Sequence, residues 1–200
     1  MMNQDQNPKP KISVSSMAIF YFFLFAISML IDREQRIFLF PHLEKSIKSD
    51  LIFDGGLIFG VSLLILLVSY LLHHYVRTYR SLSKQFSTFF SSCSMQDFFL
   101  IAAFSALGEE FFFRGVLQHY VGLVPASLMF GLLHTGPGKK YRIWTLYAFV
   151  VGLILGALYQ WRQNLLLPLG IHFLVNFVTL FVMNKHMVTK TNTSTSHVKD

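Results

Sequence analysis

Long apolar runs separated by short polar joints dominate the chain, and their length predicts helices that cross a membrane. They fall at about 16–31, 54–74, 98–118, 121–135, 143–161 and 165–184. The expected fold class is therefore an all-α membrane protein, a polytopic bundle of about six transmembrane helices with its functional polar residues inside. The runs at 17–31 and 121–135 are short for a hydrocarbon layer of ~30 Å. Residues 32–50 mix both charge signs around Phe38 and Pro41, which predicts an interfacial helix or a structured loop. Residues 1–15 read as a flexible cytosolic arm and 16–184 as one transmembrane domain. Residues 185–200, rich in Thr and Ser, read as a flexible tail.

Composition agrees with the pattern. The chain is 53% hydrophobic and 14% charged, against about 25% charged in a soluble domain. The first run passes straight into Asp32-Arg33-Glu34 without a small-residue cleavage site, which reads as a retained helix rather than a signal peptide. The net charge of +7 comes from basic residues in the joints between runs. With the N-terminus in the cytosol, five Lys and Arg fall outside (Arg33, Arg36, Lys45, Lys48, Arg162) and eleven inside, so both termini are expected to be cytosolic. That distribution points to a lipid bilayer as partner and away from nucleic acid. The lone Cys93 offers neither a disulfide framework nor a metal signature. Gly56 and Gly60, and Gly152 and Gly156, stand four apart and predict close helix packing within the chain.

Three charges interrupt the third run: Glu109, Glu110 and Arg114. Each costs roughly 2.5–3.5 kcal/mol at the centre of a bilayer, so such residues mark function. Glu110 and Arg114 are four apart and predict an ion pair along one helix face. Glu109 is turned about 100° away and stays the freer carboxylate, a candidate general base. Further on, His134 ends the run Phe130-Gly-Leu-Leu-His, and His172 and Asn176 share a face of the last run. Pro168, four residues before His172, predicts a kink there. Such intramembrane Glu, His and Arg also suit a small transporter or proton relay, although no inverted repeat is visible. A non-catalytic, immunity-type binding protein is a further alternative.

Taken together, Glu109-Glu110-x-x-x-Arg114, Phe130-x-x-x-His134 and His172-x-x-x-Asn176 on successive apolar segments resemble the CAAX-protease and bacteriocin-processing family of intramembrane proteases. The resemblance covers about 95–184, the expected catalytic core. It implies a glutamate-dependent endopeptidase in which Glu109 activates water with His134 as proton partner. His172 and Asn176 would stabilise the oxyanion, while Glu110 and Arg114 orient the helix. The implied substrate is a membrane-associated peptide or protein, lipidated or C-terminally anchored, in the cytoplasmic (inner) membrane of a prokaryote. No cofactor is favoured. Zinc is the alternative, with Glu109, His134 and His172 as its ligands, although no H-E-x-x-H motif occurs.

Overall fold

The computed structural model describes the backbone of residues 13–31 and 47–196 and the side chains of 13–31 and 51–183. Most of the expected N-terminal arm, the joint at 32–46 and residues 197–200 lie outside the described residues. The described chain is helical, in the order α1 (Val14–Ile31), α2 (Ile47–Tyr75), α3 (Arg77–Phe89), α4 (Met95–Glu110), a π-helical segment (Phe111–Leu117), α5 (Gln118–Val121), α6 (Leu123–Leu133), α7 (Tyr141–Arg162) and α8 (Leu166–Ser196). This is an all-α membrane bundle.

Among the described residues, four helices are long and apolar enough to cross a membrane: Val14–Ile31, Leu51–Tyr75, Tyr141–Arg162 and Leu166–Met183. The third expected span is realised differently. α4, the π segment and α5 run without interruption from Met95 to Val121 and end where Gly122 takes φ +84°. α6, with 11 residues, is a half-length helix, since ~1.5 Å per residue carries it about halfway across a bilayer.

Local chemistry sets the ends. The Ser94 hydroxyl accepts from the Asp97 N–H at 3.2 Å, and the Asp97 carboxylate accepts from the Ser94 N–H at 2.7 Å, a capping box that starts α4. These hydrogen bonds, the backbone one first, hold the Asp97 carboxyl below its ordinary range. Burial, and then the Asp97 charge, push the neighbouring Cys93 thiol up. Pro168 does not kink α8. It lies in the helix's first turn, where its missing N–H has no intrahelical partner to lose. α8 also continues to Ser196, past the Lys185 boundary drawn from sequence.

α3 has no counterpart among the expected spans. Its inner face buries Tyr79 and Leu82, while Arg77, Ser81, Lys84 and Thr88 stay exposed. The Arg80 guanidinium donates to the carbonyls of His73 and His74 at the end of α2. Phe86 meets the rings of Tyr141 and Trp144, so α3 lies under the start of α7. The opposite end is tied by Asp54 of α2. Its carboxylate accepts from Arg162 Nε and from Asn164 Nδ2, each at 2.8 Å, and Asn164 Oδ1 accepts from the Leu166 N–H.

The glycine pairs divide. Gly152 and Gly156 do permit close packing: a methyl on Gly156 would fall 2.5 Å from Gln118 Oε1 and 3.3 Å from Arg114 Nη1. Gln118 Nε2 then donates to the Gly156 carbonyl at 2.9 Å. Gly56 and Gly60 instead lie on an exposed face with nothing near them among the described residues, so the expected packing role is not seen there.

Candidate active site

α4 packs between α1 and α8, and this brings the charged motif of one helix against the polar motif of another. Glu110 and Arg114 are both fully buried, with Arg114 Nε 3.1 Å from Glu110 Oε2. The pair spans the start of the π segment, whose wider register shows where the Gln118 N–H donates to the Phe113 carbonyl, five residues back. Such π segments are frequent at functional sites. The Arg114 guanidinium also lies 5.2 Å from the centre of the Phe130 ring, which joins the π segment to α6.

Glu110 has a second partner that sequence spacing does not reveal. His172 Nδ1 lies 2.7 Å from Glu110 Oε1. An ionised carboxylate only accepts, so Nδ1 carries the proton and Nε2 is turned the other way. His172 Nε2 faces Glu109, 3.8 Å from its Oε2.

His134 arrives from the end of α6. As the helix stops, its imidazole turns back and Nδ1 meets the Phe130 carbonyl at 2.7 Å. A carbonyl only accepts, so here too the proton is on Nδ1 and Nε2 is directed outward. That Nε2 lies 3.8 Å from Glu109 Oε2. The ring lies between Phe130 and Trp144, tilted against both, with centroids 4.4 and 5.9 Å away. Trp144 in turn rests on Phe86 of α3.

Glu109 is thus a buried carboxylate whose Oε2 has no direct hydrogen-bond partner and faces two imidazole Nε2 atoms at equal distance. A separation of 3.8 Å exceeds a direct hydrogen bond, and a single water spans it. His134 is the most open member, its side chain 23% exposed. Asn176 lies one turn along α8 and donates from Nδ2 to Ser105 Oγ at 3.0 Å. Ser105 stands one turn before Glu109 on α4. The second amide hydrogen of Asn176 is left for another acceptor.

Five of the six sequence-derived residues therefore follow one another within 4 Å, as His134–Glu109–His172–Glu110–Arg114, the last two links being direct hydrogen bonds, and Asn176 joins the same α4–α8 seam through Ser105. Among the described residues, no three His, Cys, Asp or Glu side chains are gathered closely enough to hold an ion. Sequence reasoning missed Ser105 and Tyr21, whose phenol interacts with the Glu109 carboxylate from α1. Ser105 carried a signal, since it precedes Glu109 by four residues on the same face. Tyr21, in an aromatic-rich span, carried none.

Residues 91–178, which hold every member of this cluster except Tyr21, match the family model described as type II CAAX prenyl endopeptidase Rce1-like. Over those residues the chain is similar to that family. The family resemblance read from the three motifs is borne out over that stretch. The chain is also 37% identical over 91 residues to the uncharacterized protein YpbD of Bacillus subtilis (strain 168), a match covering 44% of this chain and 47% of the relative. It thus spans about half the length of the curated relative it matches. No solved structure matches the chain. The matched stretch begins just before the Ser94 cap and ends just after Asn176, so it takes in α4, the π segment, α5, α6, α7 and the part of α8 that faces Glu109 and Ser105.

Proposed function

We propose that this chain is an intramembrane endopeptidase that hydrolyses a peptide bond of a membrane-associated or C-terminally anchored substrate, lipidated substrates included. The observation that carries the reading is Glu109: a buried carboxylate oxygen without a direct partner, 3.8 Å from each of two histidine Nε2 atoms. A water held there donates one hydrogen to Oε2 and the other to His134 Nε2, which the tautomer leaves as an acceptor.

Glu109 takes a proton as the water oxygen bonds to the scissile carbonyl carbon, and the carbonyl oxygen becomes an oxyanion. His172 and Asn176 donate to that oxygen. His172 does so from Nε2 as the imidazolium, with the Glu110 carboxylate 2.7 Å behind it. In that state Glu109 is protonated, and the Glu110 carboxylate and the oxyanion balance Arg114 and the imidazolium, so the buried cluster is neutral as a whole, as burial demands. The oxyanion then collapses, the C–N bond breaks, and the amine leaves with the proton that Glu109 gained. Every step uses side chains of this chain alone, so the reading is a metal-free glutamate mechanism. Activity that survives strong chelators supports it.

The bilayer is the cytoplasmic membrane, with the exposed Arg77, Lys84, Lys139 and Arg142 end facing the cytosol as the positive-inside rule requires. The test is quantitative proteomics of membranes carrying the wild type or Glu109→Gln. Precursor peptides should accumulate with Glu109→Gln, at equal expression of the two proteins. Identical peptide profiles would overturn the reading.

A further inference from the structure

α1 lies outside the Rce1-like match and turns one narrow face inward. Val14 and Met17 pack on the cluster around Phe98 and Ile101, Phe25 packs on Phe111, and Ser28 is fully buried. This is helical spacing, with Tyr21 in the middle of the stripe. Ile19, Phe20, Phe22 and Phe23 are exposed, as lipid-facing residues should be. A tyrosine at mid-span needs a polar partner for its hydroxyl, because lipid supplies none.

Gly108 brings that partner within reach. A methyl there would fall 2.5 Å from the Tyr21 carbonyl oxygen and 3.0 Å from its carbon, so only glycine lets α1 lie directly on α4 beside Glu109. One turn on, the edge of Phe25 meets Phe111 at 4.8 Å and fixes α1 on the other side of Glu109. The groups facing the carboxylate are then Tyr21 from α1, His134 from the end of α6 and His172 from α8.

We propose that Tyr21 is the positioning residue of Glu109: its phenol O–H donates to one carboxylate oxygen and leaves Oε2 turned toward His134 and His172. Without that donor the carboxylate rotates freely about its last torsion, which is broad for glutamate. The consequence for hydrolysis rests on the protease reading above, but the contact itself is measurable without any cleavage.

Dicyclohexylcarbodiimide, a lipid-soluble reagent, labels carboxyl groups in their protonated form. A donor that favours the carboxylate slows the reaction. The experiment compares wild type, Tyr21→Phe and Gly108→Ala in liposomes at neutral pH, reading label on the Glu109 peptide by mass spectrometry. Tyr21→Phe should label about tenfold faster at unchanged thermal stability, and Gly108→Ala, which pushes α1 away, should also label faster. Equal labelling of wild type and Tyr21→Phe would overturn the proposal. Cleavage of a farnesylated C-terminal peptide is read in parallel, where Tyr21→Phe should lower kcat and leave KM in place. A wild type that cleaves no substrate would sink the protease reading alone, since the labelling result stands apart from it.

Discussion

His172 Nδ1 lies 2.7 Å from Glu110 Oε1, so the second glutamate of the motif holds a histidine of another helix while its other oxygen holds Arg114. The division of labour between the adjacent carboxylates follows from this. Glu110 is saturated by two cationic or N–H partners and serves as an anchor, while Glu109 keeps an oxygen without a direct partner.

Glu110→Gln tests the anchor. A glutamine oxygen accepts from Arg114 or from His172, and its amide nitrogen then confronts the other donor. The expected result is a folded protein with kcat reduced about 10- to 100-fold, the scale seen when a partner that orients a metal-bound histidine is lost. Single-turnover kinetics on a cleaved peptide check it. Wild-type kcat would count against the anchor.

Arg114→Ala strands a fully buried carboxylate and should destabilise by about 3–5 kcal/mol. Adding Glu110→Gln to Arg114→Ala removes the stranded charge and should recover part of that loss, because deleting both partners costs less than deleting one. Thermal unfolding in detergent of the two single variants and the double variant measures the coupling. Strictly additive losses would mean that the pair is not an energetic unit.

The motif spacing alone made Glu109, Glu110, Arg114, His134, His172 and Asn176 legible, because unpaired charge in apolar runs is costly wherever it occurs. The rest depended on tertiary contacts. The π register after Glu110 has no marker in a run of three phenylalanines. α3 is too polar to register as a span, and only Tyr79, Leu82 and Phe86 at spacings of three and four betray its packed face. The place of Pro168 in a first turn is not visible in the sequence, because the helix start at Leu166 is set by the Asp54–Asn164 contact, more than a hundred residues apart in the chain. Gly56 and Gly60 share the four-residue spacing of Gly152 and Gly156, yet only the second pair meets a neighbouring helix.

The cap of α4 should respond to acid. The Asp97 carboxyl is held below its ordinary range by the Ser94 N–H and hydroxyl. Its contribution is therefore fully present above the ordinary carboxylate range, at about pH 4, and fades as pH falls through the lowered value. Hydrogen exchange at the first-turn amides of α4 should quicken in that acid window. Asp97→Asn should exchange fast at every pH, and an unchanged acid response in that variant would assign the effect elsewhere.

Asp54 separates stability from chemistry. Its carboxylate joins α2 to Arg162 and Asn164, and through Asn164 to the first N–H groups of α8, at the end of the bundle opposite α3. In Asp54→Asn one side-chain atom becomes a donor facing another donor, and hydrogen bonds to a charged group are worth about 1.5–3 kcal/mol. Thermal stability should fall by that amount, and the Leu166 amide should exchange faster. Because no contact links Asp54 to Glu109 among the described residues, cleavage at a temperature where the variant is folded should keep its wild-type kcat. A kcat that falls in proportion to the stability loss would show instead that the α7–α8 turn sets the position of His172.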